Sequence, residues 1–471
     1  MRDDTTRRRY LKGTATAGTL GIAGLAGCSG GNSGGTATDT AEGAGTDEDD
    51  MTEETEASAS VEGTLSIGVM QPVTGDLQYY GQQALWGFLS GIAHKLDQDP
   101  IDTGTTGKHT VNAGSWDIEL HIADTKFSPD KAQSVATDLV DSVGVDILFG
   151  TTSSASARRV VETVAKPSGT PFVAGPAAAT DITSSSETCS ELVFRASENT
   201  AMDARSGGRY VARQTDVERV YIMAADYSFG KSVAENYRKV LESEGIEIVG
   251  EKFVPRGYSE FDGLYQNAVD ANADAVIGGF TVVTLPQFLG TGLEGGYGLR
   301  LFGGFGTQIS MKAIGGVAQR VLGKPLTEEK IRNAKLGPFT TRYHWNQYDN
   351  PINDAFVKMY EETYGAVPDL FTSGTFTAAS GIVQAVEASG STKGTDVAAA
   401  MRGMTVAETP KGKDGYTYQE YNNQARSAMT VSYPVPDKEG DWGAPIKPGK
   451  PLARIGKDKT TLPAEDVDCS L

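Results

Sequence analysis

The sequence predicts an α/β protein with two lobes, each built on a parallel sheet that helices cover on both faces. Short apolar runs alternate with stretches of helical periodicity from Thr64 onward, as in parallel sheets buried on both sides. The alternation runs once to about residue 190 and restarts after Arg195, which predicts two successive lobes. The length of 471 residues suits two or three domains.

The first run opens with Leu65–Met70, an apolar segment that ends at Gln71-Pro72 and is typical of a buried strand followed by a loop. Ser128-Pro129 is a helix start, with serine as the cap and proline in the first turn. The other elements predicted in this run are helices at 79–95, 128–140 and 155–165 and strands at 117–123, 145–149 and 171–174.

The second run shows the same alternation of strands and helices. Its predicted elements are helices at 200–213, 231–243, 261–271 and 284–293 and strands at 219–224, 246–253, 275–280 and 300–303. In open α/β sheets ligands bind beyond the carboxyl ends of the strands. We therefore expect a binding site among the loops at 71–80, 150–154, 175–180, 226–230, 280–283 and 304–307.

Composition narrows the class of partner. The formal net charge of -19 repels phosphate backbones, which argues against nucleic acid, and it favours a protein adapted to high salt, hence a halophilic source. The three cysteines form no CxxC pair and the four histidines are scattered, so each histidine is interpreted as a surface or packing residue. We expect neither a metal nor a cofactor.

The N-terminus carries an export signal. Residues 6–12 (TRRRYLK) match the twin-arginine pattern, a weakly apolar stretch follows, and Leu25–Cys28 (LAGC) matches a bacterial lipobox. This predicts a signal peptide at 1–27 and lipidation of Cys28. Residues 28–62 are rich in Gly, Ser, Thr, Asp and Glu, which predicts a disordered acidic tether between a membrane and the folded part.

Several segments together resemble a known family. Residues 65–90 (LSIGVMQPVTGDLQYYGQQALWGFLS) resemble the opening of type I periplasmic binding proteins of the leucine/isoleucine/valine-binding family. The same family is resembled, in order and spacing, by DTKFSPD at 124–130, GTTSSASA at 150–157, PFVAGPAAATDIT at 171–183, DYSFGKS at 226–232 and NPINDAFVKMYEETYG at 350–365. The likeness covers most of residues 64–430.

The resemblance implies two Rossmann-like lobes joined by three hinge crossovers, which we place near 186–197, 336–346 and 406–415. Lobe 1 is then expected to comprise 64–190 and 347–406, and lobe 2 to comprise 196–336 and 412–471. The implied function is that of the extracytoplasmic substrate-binding component of an ABC importer, not an enzyme. Its partners would be a small solute and separate permease and ATPase subunits.

Candidate ligand contacts in lobe 1 lie in the predicted loops. Ser153 and Ser154 are at a helix start, where hydroxyls and free N–H groups suit a carboxylate, although the two serines would also be explained by helix capping alone. The resemblance implies that Ser154 and the backbone around Ala177 and Ala179 meet the carboxylate of the ligand. Thr180 would add a hydroxyl, and Tyr80 is expected in the cleft wall.

Lobe 2 departs from the amino-acid-binding pattern. Phe229 stands where the family has a tyrosine, and Gly303–Gly306 (GGFG) lacks the acidic residue that pairs with an ammonium. Phe229, Phe280 and Phe305 would line an apolar wall, or else pack in the core. The ligand is thus expected to be a branched-chain amino acid, an amide or a hydrophobic or aromatic carboxylate, with a zwitterion disfavoured because a buried ammonium would lack its partner.

Cys189 and Cys469 remain after lipidation of Cys28, and an even remainder outside the cell favours a disulfide over two free thiols.

The sequence offers three rival functions. Residues 225–232 (ADYSFGKS) resemble a P-loop but begin with alanine and contain Asp226. A secreted hydrolase would need a G-x-S-x-G elbow, which the sequence lacks. A sensor domain for a signalling partner is not separated from a transport receptor by the sequence.

Overall fold

The computed structural model describes residues 61–469 and residue 471. The predicted signal peptide at 1–27, the lipidation site Cys28 and the predicted tether up to residue 60 lie outside the described residues. Among the described residues, no helix combines the length and the apolar character that a membrane crossing requires.

Lobe 1 is built first along the chain. Its elements up to Arg195 are β1 (Gly63–Gln71), α1 (Gln78–Lys95), β2 (Gly107–Asn112), β3 (Trp116–Asp124), α2 (Pro129–Asp138), β4 (Ile147–Gly150), α3 (Ser154–Val160), α4 (Lys166–Ser168), β5 (Phe172–Ala174) and β6 (Val193–Arg195). Single π-helical turns extend α2 and α3, at Leu139–Val143 and Val161–Ala165, and a 3-10 turn spans Thr180–Thr183.

Lobe 2 follows. Its elements are α5 (Thr200–Asp203), α6 (Arg209–Gln214), β7 (Arg219–Ala225), α7 (Ser228–Ser243), β8 (Glu247–Val254), α8 (Asp262–Asp270), β9 (Ala275–Gly279), α9 (Leu285–Glu294), β10 (Arg300–Gly304), α10 (Gln308–Leu322), α11 (Glu328–Asn333) and β11 (Leu336–Thr341). A π-helical turn at Ala204–Gly208 joins α5 to α6.

The chain then revisits both lobes. The elements that pack on lobe 1 are α12 (Pro351–Tyr364), α13 (Thr372–Ser389), α14 (Gly394–Met401), β12 (Thr405–Val406), β13 (Tyr416–Tyr418) and β14 (Ala425–Ser427). The remaining elements are β15 (Met429–Ser432), β16 (Pro434–Pro436), β17 (Ile446–Pro448), β18 (Ala453–Ile455), α15 (Lys457–Thr460) and a 3-10 turn at Ala464–Asp466.

The two main sheets confirm the predicted two-lobed α/β fold. The sheet of lobe 1 has the order β2-β3-β1-β4-β5-β6, and that of lobe 2 has the order β18-β15-β11-β10-β9-β7-β8. Most neighbours are parallel, but β2 runs antiparallel to β3 and β15 runs antiparallel to both β11 and β18. Apolar clusters lie on both faces of each sheet, which explains why the central strands read as continuous apolar runs.

The structure places two of the three predicted crossovers at other residues. Residues 336–341 form β11 within the sheet of lobe 2, so the second crossing begins only after Thr341. The third crossing lies between β14 and β15, at Ala428, and not near 406–415. The assignment of residues from 412 to lobe 2 is wrong for 416–427, because β12 to β14 pair with one another and bury Tyr416 and Tyr418 in the core of lobe 1.

The three crossings meet in a buried polar network. Glu198, on the first crossing, accepts hydrogen bonds from Lys411 Nζ at 2.6 Å, from the Tyr416 hydroxyl at 2.7 Å and from Ser427 Oγ at 2.8 Å. The side chains of Glu198 and Lys411 are only 3% and 1% exposed. The hydroxyl of Tyr348, on the second crossing, donates to the carbonyl of Ala428 on the third.

A disulfide joins Cys189 to Cys469, with the Cα atoms 6.1 Å apart. The C-terminal segment is also held by a hydrogen bond of 2.9 Å from the N–H of Asp468 to the carbonyl of Ser184. The disulfide and this hydrogen bond together fix the end of the chain beside the segment that leads into β6.

We predict that the double variant Cys189→Ala/Cys469→Ala is about 2–4 kcal/mol less stable to urea than the wild type, because the disulfide restricts the unfolded chain. Its sequence separation of 280 residues makes the closed loop long. Urea unfolding with and without reductant measures the effect, and the double variant should not respond to the reductant. Equal stability of wild type and variant, with two titratable thiols in the wild type, would contradict the bond.

Candidate functional site

A cavity of about 90 Å³ lies between the two lobes, where the carboxyl ends of both sheets face each other. Each of the six predicted loops contributes to its wall. One lining residue from each loop, in chain order, is Tyr80, Ser154, Ala178, Phe229, Phe280 and Phe305.

The start of α3 forms one polar part of the wall. Ser153 is the helix cap: its Oγ accepts from the N–H of Ser156 at 3.3 Å, and its side chain does not line the cavity. Ser154 lines the cavity, and its Oγ accepts from the N–H of Ala179 at 3.1 Å, which leaves its own hydrogen for a ligand. Ser153 therefore caps the helix, whereas Ser154 lines the cavity. The helix N-terminus favours a negative group here.

Ala177 and Ala179, whose surrounding backbone the resemblance placed at the ligand, and the nearby Thr180 are not among the residues that line the cavity. The carbonyls of Ala177 and Ala179 accept from the guanidinium of buried Arg195, at 3.0 and 2.6 Å. Thr180 faces lobe 2 instead, where its N–H donates to Ser232 Oγ at 2.9 Å. Along this extended segment it is Ala178, with Pro176, that lines the cavity.

Tyr80 links the lobes at the rim of the cavity. Its hydroxyl accepts from the N–H of Val282 in lobe 2 at 3.0 Å, and its ring packs edge-on against Phe371, with the centroids 4.8 Å apart. Burial raises the pKa of Tyr80, so its hydroxyl stays protonated. Gly81 is required beside it, since a Cβ there would lie 2.0 Å from the carbonyl oxygen of Pro72.

The three predicted phenylalanines of lobe 2 all line the cavity. Phe280 also packs on Phe288, with the centroids 5.2 Å apart, and Phe305 on His344, at 5.3 Å. Phe280 and Phe305 thus line the cavity and also pack against other rings of the protein, so the two interpretations, wall and core, do not exclude each other for these residues. The wall is largely apolar and aromatic.

The charged groups in the cavity wall form a single ion pair among the described residues. Asp203 and Arg342 are the only charged residues that line the cavity in the described part of the chain. Arg342 donates to Asp203 through Nε at 3.0 Å and through a second nitrogen at 2.5 Å, and both residues are buried. Burial disfavours the charge of Arg342, but the facing carboxylate outweighs it and raises the pKa of Arg342. As a pair the two charges cancel.

Asp203 and Arg342 were missed by sequence reasoning because they lie 139 positions apart, on a predicted helix and a predicted crossover. The sequence analysis also missed several polar lining residues, namely Thr152, Tyr227, Tyr237, Thr281 and Thr340. Thr152 and Thr281 fall within the predicted loops, so their hydroxyl side chains could have marked them as candidate ligand contacts. Tyr237 is a periodic apolar position of α7, so nothing in the sequence marks it as a wall residue.

Asp369 and His344 lie immediately outside this wall. Both side chains are fully buried, with His344 Nδ1 3.1 Å from Asp369 Oδ1. Asp369 Oδ2 accepts from the hydroxyl of Tyr79 in lobe 1 and from the N–H of Gln308, the first residue of α10 in lobe 2, each at 2.8 Å. A single carboxylate thus joins the lobes next to Phe305 and to the lining residue Leu370.

The sequence is similar to those of known binding proteins. Residues 64–438 match the sequence profile of a family described as "Periplasmic binding protein". The chain is 23% identical, over 354 residues, to the leucine-, isoleucine-, valine-, threonine- and alanine-binding protein of Pseudomonas aeruginosa, covering 75% of this chain and 86% of that protein.

Solved structures share the fold. A periplasmic binding protein from Burkholderia mallei superposes with a TM-score of 0.70 at 19% identity, over 86% of this chain and 98% of the other. A solute-binding protein of an ABC transporter from Rhodopseudomonas palustris, in complex with benzoate, has a TM-score of 0.67 at 20% identity, over 87% of this chain and 100% of the other.

Proposed function

Because the chain belongs to the periplasmic binding protein family, we propose that it is the extracytoplasmic substrate-binding component of an ABC importer. In this proposal the ligand occupies the cavity between the lobes, and hinge motion at the three crossings opens and closes it. Its partners are then a small organic solute and separate permease and ATPase subunits. The observation that carries the proposal is the cavity itself, which is lined by loops of both sheets at their carboxyl ends.

The lining favours a hydrophobic or aromatic carboxylate over an amino acid. Ser154 and the start of α3 offer hydrogen-bond donors to a carboxylate, and the aromatic wall suits an apolar body. An ammonium would find Asp203 already bonded through both oxygens to Arg342. The printed names of the relatives include both classes, since the Pseudomonas protein is named for amino acids and the Rhodopseudomonas structure contains benzoate.

We further propose that the protein is not an enzyme. None of the four histidines lines the cavity, so a histidine-based triad has no base there. The P-loop alternative is also unsupported by the geometry: Lys231 Nζ lies 3.1 Å from Asp226, and neither side chain lines the cavity. The sensor alternative would use the same binding site, and transport is preferred because the Rhodopseudomonas palustris protein with the same fold is a solute-binding protein of an ABC transporter.

The delivery of the protein is proposed from the sequence. Export by the twin-arginine route, lipidation of Cys28 and an acidic tether would hold the lobes at the outer face of a membrane. The net charge of -19 would keep such a protein soluble in a halophilic cell's medium.

We predict that a hydrophobic or aromatic carboxylate at a hundred times its Kd raises the free energy of unfolding by about 2.7 kcal/mol. Ser154→Ala should weaken binding about tenfold, because the ligand carboxylate loses a donor while the N–H of Ala179 loses its acceptor. Thermal unfolding in high salt and titration calorimetry with a panel of amino acids, amides and aromatic acids measure both effects.

The neighbouring Ser153→Ala is the matched control. It removes a helix cap, at a cost of about 0.5–2 kcal/mol in stability, and should leave the Kd within about threefold of the wild type. If Ser153→Ala weakened binding as much as Ser154→Ala, the loss would be structural and the assigned contact would be wrong. If no compound of the panel bound, the proposed ligand class would be wrong.

A further inference from the structure

A second, open groove lies on lobe 2 and shares no lining residue with the cavity between the lobes. Its wall is formed by the turn after α5 and by α6 on one side, and by β18 and α15 on the other, and its volume is about 490 Å³. The charged residues of this wall are five cations and one acid, namely Arg205, Arg209, Arg213, Arg454, Lys459 and Asp458. In a chain with a net charge of -19, the groove therefore reverses the sign of the surface locally.

The carboxylates around the groove do not neutralise its cations. Glu244 is shared between two of them, since it accepts from Arg209 Nε at 2.9 Å and from Arg213 Nε at 2.6 Å. Asp458 accepts at 2.7 Å from Arg426, which does not line the groove. The wall therefore keeps an excess of positive charge.

The opposite side of the groove shows the same excess. The guanidinium of Arg454 donates to the carbonyl of Gln347 at 2.8 Å and lies over the ring of Tyr348, 4.4 Å from its centroid, so its charge faces neutral groups there. Lys459 is exposed beside it on α15.

Arg205 is the cation that most needs a counter-charge. Its side chain is only 18% exposed, and its Nε is buried without a hydrogen-bond partner among the described residues. Its Nη1 lies 4.0 Å from Asp466 Oδ2, which is too long for a hydrogen bond. Burial lowers the pKa of Arg205, and the charge of Arg209 lowers it further. Because buried polar groups are almost always hydrogen-bonded, this guanidinium indicates a negative group supplied from outside the protein.

The chemistry of the groove selects a small anion with several oxygens. Guanidinium groups donate through a planar fork that fits the oxygens of phosphate and sulfate, and a doubly charged ion balances an excess of several cations better than a single carboxylate does. An anionic membrane surface would meet the negative charge that surrounds the groove, whereas a small ion avoids it.

We propose that this groove binds a tetrahedral oxyanion, inorganic phosphate or sulfate, between Arg205 on one side and Arg454 and Lys459 on the other. The site is distinct from the cavity between the lobes, so the proposal goes beyond the proposed function and does not depend on it. The bound ion would join the turn after α5 to the C-terminal segment of the chain through β18 and α15.

Titration calorimetry of the purified protein with sodium phosphate and sodium sulfate tests the proposal, in a buffer free of both ions and at an ionic strength held constant with sodium chloride. We expect saturable binding of at least one of the two ions. Arg205→Met should weaken it at least tenfold, and Lys459→Met, at an exposed position where the fold is not at risk, at least threefold. In the absence of oxyanion, Arg205→Met should unfold at the same temperature as the wild type or a higher one, because it removes a poorly paired charge.

Arg320→Met is the matched control, because it removes the same charge from α10, outside the groove, where the side chain is 65% exposed. It should leave the Kd within about twofold of the wild type. Equal weakening by Arg205→Met and Arg320→Met, or no binding beyond that of chloride, would overturn the proposal. So would a lower unfolding temperature of Arg205→Met together with unchanged binding in Lys459→Met, since Arg205 would then be structural. Sedimentation of the protein with phosphatidylglycerol vesicles that is lost in Arg205→Met would replace the free ion by a lipid headgroup.

Discussion

Glu198→Gln should lower the free energy of unfolding by about 3–5 kcal/mol at pH 7, because it leaves the buried ammonium of Lys411 without a counter-charge. The lysine side chain is 1% exposed, so water cannot replace the carboxylate. The same carboxylate accepts from Tyr416 and Ser427, so the substitution also weakens contacts between the first and third crossings. Chemical denaturation monitored by tryptophan fluorescence measures the loss.

Two variants serve as controls for this result. Glu198→Gln/Lys411→Met removes both charges and should recover much of the loss, because a buried pair replaced by uncharged groups is often neutral in stability. Asp458→Asn breaks the exposed pair with Arg426, whose side chain is 39% exposed, and should cost less than about 1 kcal/mol. Equal losses from Glu198→Gln and Asp458→Asn would show that the buried pair has no special importance.

The contribution of Glu198 should also depend on pH. Burial disfavours its charge, but Lys411 and the hydrogen bond from Tyr416 outweigh this and hold the pKa of Glu198 below its usual range. An unfolded glutamate ionises near pH 4.3, so the stabilisation is complete above about pH 4.3 and is lost as the pH falls through the folded-state value. The stability difference between the wild type and Glu198→Gln should therefore narrow in acid.

The main sheets were predictable from sequence because their central strands are buried on both faces. Leu65–Met70 is such a strand, and its apolar run needs no knowledge of its neighbours. The edge strand β2, at 107–112, was missed because its residues are exposed or half-buried and its structure is supplied by pairing with β3. Strands β12 to β14 are two or three residues long, too short for a periodic signal.

The loops of the candidate site were predictable because parallel strands present all their carboxyl ends at one edge. It was harder to predict which residue within a loop lines the cavity. The resemblance favoured Ala177 and Ala179, whereas Ala178 lines the wall, because Arg195 holds its two neighbours by their carbonyls. Pairings across long separations, such as Asp203 with Arg342, follow only from the three-dimensional arrangement.

Asp369→Asn should weaken ligand binding by about ten- to a hundredfold, although Asp369 does not line the cavity. Its Oδ2 accepts from Tyr79 in lobe 1 and from the N–H of Gln308 in lobe 2, and its Oδ1 from the N–H of Leu370. An amide has one acceptor oxygen instead of two, so its NH₂ group faces either Tyr79 and Gln308 or the N–H of Leu370, and the bonds on that side are lost. The remaining neutral oxygen is also a weaker acceptor than a carboxylate. Hydrogen bonds to a buried charged group are worth about 1.5–3 kcal/mol, and each 1.4 kcal/mol is tenfold in Kd.

In the arrangement described here, loops of both lobes line the cavity. If the ligand binds this arrangement better than an open one, destabilising it lowers the apparent affinity by the fraction of competent molecules lost. Small-angle scattering should then show that free Asp369→Asn is at least as extended as the wild type, and that saturating ligand compacts both to the same dimensions. Calorimetry supplies the Kd values.

Asp76→Asn provides the matched interlobe control. Asp76 lies 3.7 Å from Arg256 across the same cleft, but its side chain is 81% exposed, so solvent screens the pair and binding should change by less than about threefold. A similar loss in both variants would mean that any interlobe charge suffices, and an unchanged Kd in Asp369→Asn would mean that closure does not depend on this carboxylate. The contrast between one buried and one exposed carboxylate at the same cleft thus isolates burial as the source of the coupling between lobe closure and ligand binding.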